Sequence, residues 1–349
     1  MPKPIEFIGQ LEVKVTPEKV DAIDRKILYL LSLNARFSSS VMARHLKLSR
    51  EVVAYRTKRM EEGGIIHGYL TLIDSQRLGK VSKTVLFKLH SPQKVNPFLE
   101  KLKTLPLVSS LTHCGGKYDV LLNILGNNEE ECYTTFQEII DRGETMVQDY
   151  SLTTKLEQHF LGLSLLMNDE KERTFLRKIQ EKKGSSFQQS ILQRKEKGIF
   201  SNTDATDIKI LQLLHHNARM NLQELADKTN IGIYQVQSRM KKLIENGIIQ
   251  GFVPYISLAH LEFQFTLILL TVKKDQETKF RQWVKDHHSI VWMSKHLGQY
   301  NYKLSLFIKN NAHLSEVLQE MEQEFSSAIS HVDVMPVFQK KQYRTLHPF

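Results

Sequence analysis

Two kinds of residue cluster in this sequence carry enough chemistry to hold a partner. The first is cationic. Between Ser49 and Glu62 the chain reads SREVVAYRTKRMEE, and Val53, Thr57 and Met60 fall at i, i+4 and i+7 of a helix that Ser49 can cap. That stripe faces a core and leaves Arg50, Tyr55, Arg56, Lys58 and Arg59 on the other faces. Such a helix fits a major groove, with side chains of its first turns reaching base edges and its cations meeting phosphates. A second helix of this kind runs through GIYQVQSRMKKLIEN, with Val236, Met240 and Leu243 as its stripe. There Gln235, Gln237, Ser238 and Arg239 are the outward candidates for base contact, and Lys241 and Lys242 for phosphate. The other cluster is a turn, Gly116-Lys117-Tyr118-Asp119. Gly116 lets the backbone come close to a ligand, Tyr118 offers a wall and a hydroxyl, and Asp119 supplies the charge that an ammonium group needs. The matching turn, Gly298-Gln299-Tyr300-Asn301, has an amide where the acid stood, so an amino acid is expected to bind less well there. The same residue types build plain hairpins, and a packed Tyr118 with a solvated Asp119 is the competing reading.

Catalytic signals are weak. Cys114 follows His113, but neighbours on a strand face opposite sides, so Cys114 reads as core. His215-His216 ends a helix and is expected to face solvent. His287-His288 closes another, where a cation suits the helix dipole. Adjacent histidines on a helix point about 100° apart and make a poor metal pair. No Gly-rich phosphate loop, H-E-x-x-H or G-x-S-x-G occurs. No catalytic residue, metal or cofactor is therefore expected. Two cysteines give neither a disulfide framework nor a zinc half-site, and no apolar run reaches the roughly 18 residues of a membrane span. With no apolar core of a signal peptide near Met1, a reduced, cytoplasmic protein without a membrane partner is expected. The formal net charge of +10 suits a polyanion such as double-stranded DNA. An assembly protein whose charged helices are merely solvated stays open beside that reading.

These clusters sit in a chain that repeats itself. DAIDRKILYLLSLNAR from Asp21 returns as DATDIKILQLLHHNAR from Asp204, 183 residues later, and the register holds through GGIIHG and NGIIQG. Across 21–68 and 204–251 there are 20 identities in 48 positions, where chance gives roughly 3, so the chain is a duplication. In each copy Asp24 or its counterpart can cap a first helix, a short second helix and a turn follow, and the cationic helix comes third. Gly63-Gly64 stops that helix, and IIHGYLTLI reads as a wing strand. The first unit carries nine Lys/Arg against five Asp/Glu and the second six against five. Beyond each unit, β-rich runs alternate with helical stretches in the order βαββαβ, a ferredoxin-like sheet. The fold class is α+β. The expected domains are a winged helix-turn-helix over 16–75, a ferredoxin-like ligand-sensing domain over 80–162, a charged linker over 163–203, and the same pair over 204–258 and 262–345. The two ferredoxin-like domains are expected to form an internal pseudo-dimer, with further self-association.

IDRKIL (23–28), NAR (34–36) and LSREVVAYRTKRMEEGGIIHGY (48–69), with their second copies through 231–252, resemble the Lrp/AsnC regulators of bacteria and archaea. The resemblance implies a DNA-binding transcription regulator whose α+β domain senses small ligands, commonly amino acids, at a Gly-x-aromatic-Asp turn. It places the effector at Gly116, Tyr118 and Asp119, and less well at Gly298, Tyr300 and Asn301, the copy that departs from the pattern. The two reading helices differ at most exposed positions, which favours two unlike half-sites over a palindrome. Sirohaem decarboxylases share this two-domain plan. His113 and His296 sit at suggestive places for that chemistry, but the His-Asn-Tyr and Asn-x-Trp stretches of those enzymes are missing here.

Overall fold

The computed structural model describes residues 19–167 and 203–343, so most of the expected linker, 168–202, lies outside the described residues. Two compact units result, and each draws on both copies of the repeat.

The first unit is helical. Helices α1 (Ala22–Leu33), α2 (Ser39–Leu46) and α3 (Arg50–Glu62) lead into strand β1 (Ile66–Ile73). Local chemistry fixes the ends. Asp21 accepts from the Asp24 N–H, and Asp24 returns the bond to the Asp21 N–H, a reciprocal cap on two otherwise orphaned donors. Ser38 and Ser49 cap α2 and α3 from their side chains. Lys47 turns the chain between them in the left-handed region, where the second copy uses Asn230. Ile27, Leu28, Met42, Val53 and Met60 are fully buried among the three helices.

The second copy, further along the chain, supplies α6 (Ala205–His216), α7 (Leu222–Thr229), α8 (Ile233–Glu245) and strand β6 (Ile249–Ile256) with the same caps, Asp204 with Asp207 and Asn221 with Glu224. The expected wing strands do not fold back on their own copies. β1 and β6 pair with each other, antiparallel, with Leu70 opposite Val253. The exchange continues at both ends: Ala35 donates to Phe252 O and Ala218 to Tyr69 O. His215, expected in solvent, is buried where α6 packs against β1, because the ribbon covers that face.

The other unit holds β2 (Val81–Leu89), α4 (Val95–Leu102), β3 (Val108–Cys114), β4 (Val120–Gly126), α5 (Glu129–Gly143) and β5 (Val147–Phe160). The second copy adds β7 (Gln264–Val272), α9 (Glu277–Asp286), β8 (Ile290–Leu297), β9 (Tyr302–Ile308), α10 (Asn311–Phe325) and β10 (Ile329–Tyr343). Each half has the βαββαβ order, and its strands lie 2-3-1-4, all antiparallel within the sheet. The two sheets close into one eight-stranded barrel, β10-β3-β4-β2-β5-β8-β9-β7. The pleat explains the layers. Val85, Phe87, Val120, Leu122 and Ile124 face the helices and form one core with Phe98, Leu102 and Ile139. Leu86 and Leu121, one step out of phase, face inward and meet Leu267, Leu269 and Met335 of the other half.

Candidate nucleic-acid interface

The helix-turn-helix pair is built around a pseudo-two-fold axis that passes between Leu70 and Val253. The Arg of each NAR motif belongs to this pairing. Arg36 donates to Ala218 O and Met220 O, at 2.6 and 2.9 Å, and lies over the Phe252 ring. Arg219 lies over the Tyr69 ring, 4.7 Å from its centroid, and donates to the Tyr69 hydroxyl. A guanidinium stacked on an aromatic face while its N–H groups meet carbonyls is held in both directions. Burial pushes the Arg36 pKa downward, with Arg219 nearby as a second cause.

The reading helices are not as free as their sequence suggests. Arg56 Nη1 lies 2.7 Å from Asp21 Oδ2 and 3.0 Å from Asp24 Oδ1, and Arg59 Nη2 lies 2.5 Å from Asp24 Oδ2. Arg239 does the same in the second copy, 2.7 Å from Asp204 and 2.8 Å from Asp207. In each copy these arginines therefore bolt the third helix to the capped start of the first. The expectation that Arg56, Arg59 and Arg239 point outward is corrected: Asp24 and Asp207 are buried acids that hold them. Gln235 is also engaged, its Oε1 accepting from the Gly232 N–H, since Gly232 has no side chain to cap α8.

What remains on the outer faces differs between copies. On α3 these residues are Ser49, Arg50, Tyr55 and Lys58, all exposed, with Lys58 3.6 Å from Glu62. Arg50 makes no ion pair in any contact found among the described residues. On α8 they are Gln237, Ser238, Lys241 and Lys242, together with Ile233 and Tyr234. Tyr234 is 84 % exposed and Tyr55 68 %, the two largest apolar exposures on these helices. Sequence reasoning missed Tyr234. Its signal was position: it stands in the first turn of α8, where base edges are reached.

The two Gly-x-Tyr turns come together in the barrel unit. Each glycine abuts the last strand of the other half. A Cβ on Gly116 would lie 2.7 Å from Val334 O, and one on Gly298 2.7 Å from Thr153 Cγ2. Gly116 has φ +94° and Gly298 +146°, so the close approach expected for a ligand is made to a strand instead. Tyr118 and Tyr300 are buried in the core between the sheets. Asp119 Oδ2 accepts from the Leu89 N–H at 2.8 Å, and Oδ1 pairs with Lys88 at 3.0 Å. Asn301, its counterpart, accepts from the Val272 N–H and donates to Val272 O, at 2.8 and 2.7 Å. Both residues tie the turn to the end of the neighbouring strand, and the Asp119 carboxylate is engaged by the Leu89 N–H and the Lys88 ammonium group of its own chain.

The histidines and cysteines have structural surroundings. His296 is buried, with Nδ1 3.1 Å from Thr153 Oγ1 and Nε2 2.8 Å from Ser294 Oγ, and burial holds it well below the usual imidazole range. Its counterpart is Cys114 and not His113, since Cys114 N and His296 N accept the same role, donating to Asp119 O and Asn301 O. Burial pushes the Cys114 thiol up, with Asp119 as the next cause. His113 meets the Phe338 ring edge-on at 5.2 Å. Among the described residues, no group of three or more His, Cys, Asp or Glu is placed to hold a metal ion, and no helix is long and apolar enough to cross a membrane.

One unit of paired helix-turn-helix domains and one α+β barrel unit make up the described chain, and comparison with known proteins gives the class. Residues 20–61 match the AsnC-type helix-turn-helix domain, and residues 203–250 match a winged helix-turn-helix DNA-binding model. The chain is 38 % identical over 102 residues to the HTH-type transcriptional regulator Ptr1 of Methanocaldococcus jannaschii, covering 29 % of this chain and 69 % of that protein. It is 32 % identical over 112 residues to the HTH-type transcriptional regulator LrpA of Pyrococcus horikoshii, covering 32 % of this chain and 79 % of the relative. The chain belongs to the Lrp/AsnC family of transcriptional regulators, with the family's unit present twice. Among solved structures, the siroheme decarboxylase NirDL aligns over 94 % of both chains with a TM-score of 0.62 and 13 % identity, a likeness of fold alone.

Proposed function

We propose that this chain regulates transcription by binding duplex DNA through α3 and α8 together, reading two unlike half-sites. The observation that supports this most is the β1–β6 ribbon, which makes the two readers a single pseudo-symmetric pair while their exposed residues differ. Paired readers of this kind engage half-sites spaced by whole helical turns. Arg50, in the first turn of α3, suits bidentate contact with guanine O6 and N7. The matching stretch of α8 offers Ile233 and Tyr234, which suit the methyl group of thymine, with Gln237 and Ser238 close by for polar base edges. Lys58, Lys241 and Lys242 are phosphate contacts.

No catalytic role is assigned. His296, at the place that suggested tetrapyrrole chemistry, has both ring nitrogens held by hydroxyls and stays neutral. Selection from a random duplex library with the pure protein tests the proposal. The expected product is a bipartite site whose halves are not inverted copies. A palindrome, or no enrichment in low salt, overturns it. Visible absorption after addition of sirohaem separates the enzyme reading, for which a bound tetrapyrrole spectrum is required.

A further inference from the structure

The barrel pairs two halves that resemble each other, yet the polar contacts across their boundary are not alike. In this region residues of the second half lie 182 positions after their counterparts, as the Cys114–Asp119 and His296–Asn301 backbone bonds show. Lys117 of the first half reaches Tyr300 Oη at 2.7 Å and Asp333 at 3.4 Å, and Tyr300 donates to Asp333 Oδ2 at 2.5 Å. The pseudo-symmetric site replaces every charged member. Gln299 stands for Lys117, Tyr118 for Tyr300 and Ser151 for Asp333. Gln299 Oε1 accepts from Ser151 at 3.1 Å and from Tyr118 at 3.4 Å.

A second boundary contact shows the same imbalance. Glu157 on β5 of the first half takes a two-pronged bond from Arg281 on α9 of the second half, and His159 Nε2 lies 2.9 Å from Glu157 Oε2. The strand pairings Glu157–Lys295 and Gln339–His113 make Gln339 the counterpart of Glu157. Phe98 and Phe280, aligned on their helices, make the fully buried Leu99 the counterpart of Arg281.

We infer that the barrel boundary accepts only an unlike partner, a first half against a second half, and rejects a copy of the same half. Two first halves would set Glu157 against Leu99, a nearly buried carboxylate without its cation, and Lys117 against Ser151 without an acid. Two second halves would leave Asp333 facing Gln299 and Arg281 facing Gln339. Removing one partner of a desolvated pair costs more than the intact pair contributes, so the like arrangements are penalised twice each. The charged members sit near the edge, Lys117 41 % and Asp333 24 % exposed, which makes that contact the weaker of the two. Glu157, 11 % exposed, makes the stronger. The consequence is that duplicated chains keep one of each reader together and do not exchange halves with their own kind.

The full chain provides the test. Lys117→Gln, Asp333→Ser, Glu157→Gln and Arg281→Leu together make the two boundary sites alike. After unfolding and refolding at high concentration, the unaltered protein is expected to regain its original mass by light scattering. The symmetrised protein is expected to add larger, chain-exchanged species. Identical mass distributions before and after for both proteins overturn the inference. A charge-reversal cycle gives an independent reading. Lys117→Asp is expected to raise the unfolding constant roughly tenfold, and Asp333→Lys in the same chain to reverse most of it. Gln299→Lys should likewise be rescued by Ser151→Asp. Paired changes whose effects merely multiply overturn the claim that these residues recognise each other.

Discussion

Arg56 holds Asp24 across the helix-turn-helix core, with its Nη1 3.0 Å from a carboxylate that is wholly buried. The arginine belongs to the helix proposed to meet DNA, and the acid belongs to the cap that starts the domain. Arg239 and Asp207 repeat the contact 183 residues later, at 2.8 Å. The pair fixes the angle at which the reading helix leaves the core. It also turns the most central cation of α3 toward the core acids and away from the exposed face.

Arg56→Ala should therefore act first on stability. It removes one of the two cations on the buried Asp24 carboxylate, leaving Arg59, and is expected to cost about 1–2 kcal/mol after discounting for the partial exposure of the guanidinium. Arg239→Ala should cost more, because the buried Asp207 pairs with Arg239 where Asp24 has both Arg56 and Arg59. Arg50→Ala should leave stability within about 0.5 kcal/mol, yet lower DNA affinity by about 1–3 kcal/mol with a smaller change in salt slope than Lys241→Ala or Lys242→Ala. Thermal unfolding beside a salt-dependent binding titration checks this. A stable Arg56→Ala protein that has lost DNA binding would return the arginine to the interface.

Tyr234→Ala and Arg50→Ala should each damage one half of the selected site. A well-placed base contact discriminates by about 1–3 kcal/mol, so each substitution should relax preference in its own half-site about tenfold or more. The other half-site should stay sharp. Library selection with each variant reads this directly, and uniform relaxation across both halves would show that neither residue reads bases.

The duplication, the helix order and the βαββαβ plan were legible because they rest on apolar spacing and on caps, which are local. The pairing of β1 with β6 was not, since a strand's period says which face is buried but not which strand lies beside it. Arg56 could have been read better. It is identical in both copies, together with Asp21 and Asp24, whereas outward neighbours such as Tyr55 and Ala54 diverge to Ser238 and Gln237. Residues kept while a reading face changes around them are held by the fold. The role of Asp119 was hidden for a different reason: its partner, the Leu89 N–H, is a backbone group that no side-chain motif announces.

The Asp119 and Asn301 sites make opposite demands. Asn301 both accepts and donates to Val272, so Asn301→Asp removes a donor and sets a carboxylate near Val272 O, 2.7 Å from the present amide nitrogen. That change is expected to cost about 1–3 kcal/mol. Asp119→Asn keeps an acceptor for the Leu89 N–H and gives up only the partly exposed Lys88 pair, so about 1 kcal/mol or less is expected. Denaturant melts compare the two. Calorimetry with a panel of amino acids on the Asp119→Asn protein adds a second reading: heat lost only in that variant would give Asp119 a ligand after all.

Acid should loosen the helical unit through His215. Burial holds this imidazole down to about 4, with His216 as a second cause. In the unfolded chain it titrates near its ordinary value of about 6.5. The neutral ring is the one the fold accepts, so its contribution is complete above about pH 6.5. Between that value and about 4 the unfolded chain binds one more proton than the folded one, and stability falls as pH falls. The loss from this residue approaches roughly 3 kcal/mol once pH is below 4. Asp21 and Asp204, both held below the usual carboxylate range, lose their contribution only in the more acidic window beneath that. Burial is opposed at Asp21 by its bonds to the Asp24 backbone and Arg56, and Asp204 is held by the Asp207 backbone and Arg239. His215→Gln should flatten the slope of stability against pH between 6.5 and 4 by up to one proton, whatever it does to the absolute value. Urea melts at half-unit pH steps measure that slope, and an unchanged slope would place the acid sensitivity elsewhere.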